Sequence, residues 1–166
     1  MRARLQEFIF GVDEETYEGV LGALLLRSGL RVAVAETAGG TSVIQTLKGM
    51  EGSPAFFPLG VTVCDPARAA KLLPGFTVCG TDLVNAAAAR ALAEGVRRLS
   101  GADVGVGVTG RVGQGKSQDH VVYIALASPH GTDLLEQKWP FALRYTENRM
   151  TKTALAQIRK YLLNGR

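Results

Sequence analysis

The stretch Gly110–Ser117 reads G-R-V-G-Q-G-K-S and satisfies G-x-x-x-x-G-K-[ST] letter for letter. In that P-loop pattern, backbone N–H groups ring the phosphates and the lysine, here Lys116, reaches the terminal ones. A working cradle needs a strand before it and a helix starting at its Lys-Ser, because the helix N-terminus supplies amides and dipole. The strand is present in A-D-V-G-V-G-V-T-G, residues 102–110, but the helix is missing. Gln118, Asp119 and His120 lead straight into V-V-Y-I-A-L-A-S, which has strand chemistry and no helical period. Only Asp119 and Asp133 remain downstream for a metal-binding aspartate. A triphosphatase is therefore disfavoured, and a weaker idea survives: free amides around Gly110, Gly113 and Gly115, with Lys116, could meet a smaller phosphate.

Other reactive side chains are few. Cys64 could act as a thiolate nucleophile, or be a small buried residue at a strand end, which is the reading preferred; Cys79 has only the second role. Two cysteines and two histidines make neither a disulfide scaffold nor a metal cluster, so no metal is expected. His120 and His130 fall at a loop end and in a turn, and read as surface residues.

The elements that would position these groups alternate. Asp13 reads as the N-cap of a helix carrying Tyr17, Val20, Leu21, Leu24 and Leu25 at helical spacing, ended by Gly29. Residues 30–36 alternate as a central strand, Gly39-Gly40 turns, and residues 41–49 form a short helix. Residues 55–64 read as a strand, with Pro58 marking an edge or a bulge at its start. Asp65 caps a helix with Pro66 at its first position, and Asn85 caps the clearest helix of the chain. Strands at 102–110 and 119–128 follow, then a hairpin partner from Thr132, and a last amphipathic helix with Met150, Ala154, Ile158 and Leu162 on one stripe. This order predicts a three-layer α/β/α sandwich with a mixed, mostly parallel sheet.

Composition bounds the rest. The 166 residues fit one domain, and 46% apolar and 20% charged content is that of a globular chain. Residues 1–12 read as a lead-in segment and 13–166 as the domain. The apolar run Val20–Leu26 is too short to cross a membrane, and no signal peptide is recognisable; with only two cysteines, a reducing cytoplasm is the expected home. The net charge of +4 is modest. Its basic pairs Arg97-Arg98 and Arg159-Lys160 read as solvated helix faces, and without aromatic–basic interleaving nucleic acid is not expected as a partner.

Several segments fall in a familiar order. Phe10–Glu36 has the form of a lead-in helix and first core strand, and A-E-T-A-G-G (Ala35–Gly40) stands where A-E-S-C-T-G-G would. T-L-K-G-M-E-G-S-P-A-F-F (Thr46–Phe57) continues without a gap. Ala91–Gly110 is similar to M-A-E-G…G-A-D-x-x-x-x-V-T-G. Arg111–Ala127 is similar to I-A-G-P-G-G…V-Y-I-A-L-A, about four residues shorter. Together they resemble the C-terminal domain of the CinA (competence/damage-inducible) proteins, whose enzymatic members are nicotinamide-nucleotide amidases.

The resemblance implies a three-layer α/β/α fold, often a homodimer, and hydrolysis of the carboxamide of nicotinamide mononucleotide to a carboxylate and ammonia, with no cofactor. A serine attacks the amide carbon, with a lysine and a tyrosine as base; a hydroxyl needs such a base at neutral pH, and amides must hold the oxyanion. This chain departs at those positions. Thr37 takes the serine position and is restricted at χ1; Cys64 takes the tyrosine position and Ala69 the lysine position. Arg68 beside it cannot act as a general base, and Lys71 lies about 200° further round a helix. Thr37 is then a nucleophile served by another base such as Lys116, a ligand-contacting hydroxyl in a noncatalytic pocket, or a helix N-cap or turn residue. Glu36 matches the family or caps the next turn. Arg149, in the position of a D-R pair, grips a phosphate or is an exposed helix charge. The expected pocket lies between Glu36–Gly40 and Thr109–Lys116, shaped for a pyridine nucleotide or a similar small molecule. Either impaired amide hydrolysis or binding without turnover would follow.

Overall fold

The computed structural model describes residues 16–37, 42–78, 82–111, 120–139 and 146–164. Helix α1 (Tyr17–Ser28) starts at Thr16, whose hydroxyl accepts the Gly19 N–H at 3.1 Å. The cap is therefore Thr16 and not Asp13: its extended φ/ψ and its position three residues before that amide give the required reach. Gly29 ends the helix at φ 66°, where a side chain would be strained. Strand β1 (Val32–Thr37) follows, then α2 (Val43–Gly49).

The expected strand 55–64 splits in two. Ser53–Phe56 is one helical turn, α3, with Pro54 in it, entered through Gly52 at φ 73° and closed by the Phe57 N–H on the Ser53 carbonyl at 2.8 Å. Only Gly60–Val63 is strand, β2. Phe56 is buried by that turn, which a strand through Pro54 and Pro58 could not achieve without losing ladder donors. Helix α4 (Pro66–Leu72) is capped by Asp65 and α5 (Ala86–Ser100) by Asn85, whose side chains accept the Ala67 and Ala88 amides, each at 2.8 Å. β3 (Val104–Arg111), β4 (His120–Ser128), β5 (Gly131–Trp139) and α6 (Thr146–Asn164) complete the described chain.

The sheet order is β2-β1-β3-β4-β5. β1 pairs in parallel with β2 and β3, β4 is antiparallel to β3, and β5 is antiparallel to β4, so only β4 runs against the other four strands. Strand alternation sorts the side chains. Val32, Val34, Val104, Val106, Val108, Val122, Ile124 and Leu126 face one way and pack with residues of α1, α2, α3 and α6. Ala33, Ala35, Ala125 and Ala127 face the other way, under α4 and α5. The helices thus form two outer layers. Crossovers leave β1 onto the first face and β2 onto the second, so the strand order reverses between β1 and β3, the place where open α/β sheets hold ligands at their carboxyl ends.

Candidate functional site at the carboxyl ends of β1 and β3

Glu36 and Thr37 are consecutive at the end of β1 and so point to opposite faces. Glu36 is buried, and its Oε2 accepts the Val43 N–H at 3.1 Å. It thereby caps α2 from the preceding strand, a task that Ser42, the N-cap residue, does not perform with its own side chain. Thr37 is not a helix N-cap; it is the last ladder residue of β1, in register with Val63.

Thr37 lies on the small-residue face with Thr109 of β3. Its hydroxyl donates to the Thr109 Oγ1 at 3.5 Å, and the Thr109 hydroxyl donates to the Leu83 carbonyl oxygen. Both threonines are buried. The relay fixes the direction of the hydrogen bonds, because Thr109 has spent its one proton on Leu83 and can only accept from Thr37. A carbonyl oxygen takes no proton at neutral pH. This arrangement orients a hydroxyl, and it does not activate one.

Cys64 and Ala69, which the resemblance sets at a tyrosine and a lysine, sit on the β2–α4 side. Cys64 is exposed, which corrects the buried reading: β2 is a short edge strand that ends at Val63, and among the described residues no further strand covers the residue after it. It lines an open depression of about 400 Å³ with Val61, Val63, Asp65, Arg68 and Ala69. Ala69 is 2% exposed within the cluster of Val63, Leu73 and Phe76, a packed methyl group. Arg68 is exposed and lies 3.6 Å from Asp65, and Lys71 is exposed on α4.

Gly110 belongs to the β3–β4 ladder opposite Val122, not to an open loop. A Cβ there would meet the flexible end of Met150 and the Val121 carbonyl. Beyond Arg111 the next described residue is His120, already in antiparallel β4. Arg149 is exposed near the start of α6, and its carbonyl accepts the Thr153 hydroxyl at 2.7 Å. Gly39, Gly40, Gly113, Gly115, Lys116, Asp13 and Cys79 lie outside the described residues, as does the lead-in 1–12.

Two surface readings are overturned. His120 is 2% exposed: as the first residue of β4, in register with Trp139, it shares the buried face of Val122 and Ile124. His130 is exposed in the turn that follows. Arg159 is also buried, beside half-buried Tyr17, where it acts on the phenol electrostatically. Arg97 donates to the Asp103 carbonyl at 2.9 Å, while Arg98 donates to the Pro74 carbonyl at 3.0 Å and pairs with Glu94 at 3.7 Å. Sequence reasoning missed Ser42 and Thr151, a hydroxyl pair between the start of α2 and α6 at 3.2 Å, in which Thr151 is buried and Ser42 exposed. No local signal marks them, since they are 109 residues apart. Among the described residues no group of three or more His, Cys, Asp or Glu could hold a metal, and no helix is long and apolar enough to cross a membrane.

Comparison with known proteins agrees with this architecture. Residues 14–162 match the family described as CinA C-terminal domain. A CinA-like protein of Syntrophus aciditrophicus is 33% identical over 171 residues, covering 98% of this chain and 40% of that protein. A relative from Desulforamulus reducens, named as a competence-damage inducible protein, is 33% identical over 100% of this chain and 41% of its own length. The chain thus spans about two fifths of these curated relatives. Among solved structures, the CinA superfamily protein from Enterobacter cloacae superposes with a TM-score of 0.71 at 18% identity, covering 93% of this chain and 97% of that one. That likeness speaks to the three-layer fold. With the family matched over most of its length, the chain belongs to the CinA C-terminal domain family.

Proposed function

We propose that this domain binds a pyridine mononucleotide at the carboxyl ends of β1 and β3, and that its hydrolysis of the carboxamide to nicotinate mononucleotide and ammonia is impaired. The observation that carries this is the Thr37–Thr109–Leu83 relay, a buried hydroxyl oriented at the reversal of strand order but ending on a carbonyl. Ala69 supports it, because the position of the family lysine is filled by a packed methyl group. In this reading Thr37 touches the ligand, Arg149 takes its phosphate, and Gly39, Gly40, Gly113, Gly115 and Lys116 contribute amides and charge. Residues 1–12 lead into the domain, which works in the cytoplasm as a homodimer. The homodimer follows the family resemblance, and the cytoplasm follows from the low cysteine count.

Nicotinamide mononucleotide titrated into the protein in a calorimeter should bind, while ammonia release stays at background. Ala69→Lys combined with Thr37→Ser should raise ammonia release by at least about 100-fold, the contribution of a positioned base. Absence of binding would remove the ligand reading. Turnover by the parent that vanishes in Thr37→Ala would replace impaired catalysis with an active threonine nucleophile.

A further inference from the structure

The first two amides of α2 are satisfied by side chains from elsewhere in the chain. Val43 N–H goes to Glu36 Oε2 at 3.1 Å, and Ser42 N–H goes to Thr151 Oγ1 at 3.1 Å. Ser42 Oγ lies a further 3.2 Å from the same Thr151 oxygen. Ser42 adopts φ −133° and ψ 34° and makes no cap bond of its own. A helix start with orphan donors is ordinarily closed by its own N-cap or by water; here it is closed by a strand on one side and by α6 on the other. Thr151 is 4% exposed, so its hydroxyl is held in place by packing.

We infer that Thr151 is a positioning residue for the candidate site, acting through Ser42 on the start of α2. Glu36, beside Thr37 at the end of β1, holds the same helix start through the Val43 amide, and Thr37 is fixed in the β1 ladder. Thr151 also sits two residues beyond Arg149 on the same helix. One hydroxyl therefore ties the start of α2, already held to the end of β1, to the helix carrying the proposed phosphate contact. A misplacement of about 1 Å in such a frame is enough to cost on the order of 100-fold in binding-dependent chemistry. The latch also means that an incoming phosphate does not find the Ser42 and Val43 amides free.

The inference rests on the proposed nucleotide site for its functional readout, and on amide exchange for a readout that needs no ligand. Thr151→Val removes the hydroxyl at nearly constant shape, Thr151→Ser keeps it, and Ile158→Val trims the same helix in the core, two turns away. Hydrogen exchange by NMR at the Ser42 amide should rise on the order of tenfold in Thr151→Val, return to the parent value in Thr151→Ser, and stay unchanged in Ile158→Val. Nicotinamide mononucleotide affinity should fall about tenfold in the first variant only, whatever the ranking of the three melting temperatures. Unchanged exchange at Ser42 in Thr151→Val overturns the latch. Raised exchange with unchanged affinity overturns its positioning role, as does an equal loss of affinity in Ile158→Val. If the parent binds no nucleotide, the nucleotide reading and the positioning role built on it fall together, and the exchange data still decide whether the latch exists.

Discussion

The two faces of the sheet are built from alternate residues of the same strands, yet they obey opposite packing rules. On one face β1 and β3 present Val32, Val34, Val104, Val106 and Val108 to α1, α2, α3 and α6, and side chains fill the gap between layers. On the other, Ala33, Ala35, Gly105 and Gly107 present almost nothing, and the backbone of α5 comes down to meet them. A Cβ on Gly105 would strike the Ala93 carbonyl, and one on Gly107 the Ala89 carbonyl. The valine face is vulnerable to removal, because deleted methyl groups leave a cavity. The glycine face is vulnerable to addition, because no flexible side chain is there to give way. The difference continues to the carboxyl ends, where the valine face finishes in Glu36 capping α2 and the small-residue face in the Thr37–Thr109 relay.

The sharpest way to break this contrast is to add one carbon and remove two at neighbouring positions. Gly107→Ala should cost about 3 kcal/mol, the upper part of the overpacking range, because the obstructing atoms are the Ala89 carbonyl and the Ala93 N–H of α5. Val106→Ala should cost about 2 kcal/mol, the loss of two buried methyl groups with their cavity. Urea denaturation of both variants tests the order. A Gly107→Ala chain as stable as the parent would mean that α5 can lift away from β3, and the two faces would then differ only in composition.

The polar ends should repeat the contrast on a smaller scale. Thr109→Val leaves the Leu83 carbonyl without its donor and Thr37 without its acceptor, at a cost of about 1–2 kcal/mol. Glu36→Gln keeps an acceptor oxygen for the Val43 amide and should cost about half as much. Urea midpoints measured side by side decide this. A larger loss in Glu36→Gln would make the carboxylate charge, and not its cap bond, the main contribution on the valine face.

Much of this was legible along the chain. V-A-V-A-E and V-G-V-G-V-T-G carry the strand period openly, and Asp65, Pro66 and Asn85 mark helix starts whose cap bonds the structure contains. Local chemistry settles such features because both partners lie within a few residues. What was not legible depends on chain returning from far away. Residues 55–57 have strand-forming types, yet burial of Phe56 against α1 and α2 residues folds Ser53–Phe56 into a helical turn. His120 looked like a loop end because nothing nearby announces that β5 and the valine-face cluster enclose it. The hydroxyl partners Thr37 and Thr109 are 72 residues apart, and Ser42 and Thr151 are 109 apart. Spacing offers no hint of either pair. The letters of G-x-x-x-x-G-K-S are equally local, and they are discounted because a helix would have to follow them; at His120 the described chain resumes as strand.

The smallest expected effect tests the rim of the valine face. Tyr17 is half-buried against that cluster, and its phenol is raised above the usual value of 10.0, chiefly by burial, with Glu18 adding and the Arg159 guanidinium opposing. A phenol raised in the folded state keeps its proton longer than in the unfolded chain. Above pH 10 the unfolded state therefore binds fewer protons, and stability must fall with rising pH until the folded value is passed. Below pH 10 the contribution is fully present. Tyr17→Phe removes this titration, so the urea midpoint of the variant should decline less than the parent's between pH 9.5 and about 11. Parallel decline in both proteins would mean that water reaches the Tyr17 hydroxyl as freely as in the unfolded chain. The edge of the valine face between α1 and α6 would then be open, and the contrast between a filled face and a closely approached one would hold only at the centre of the sheet.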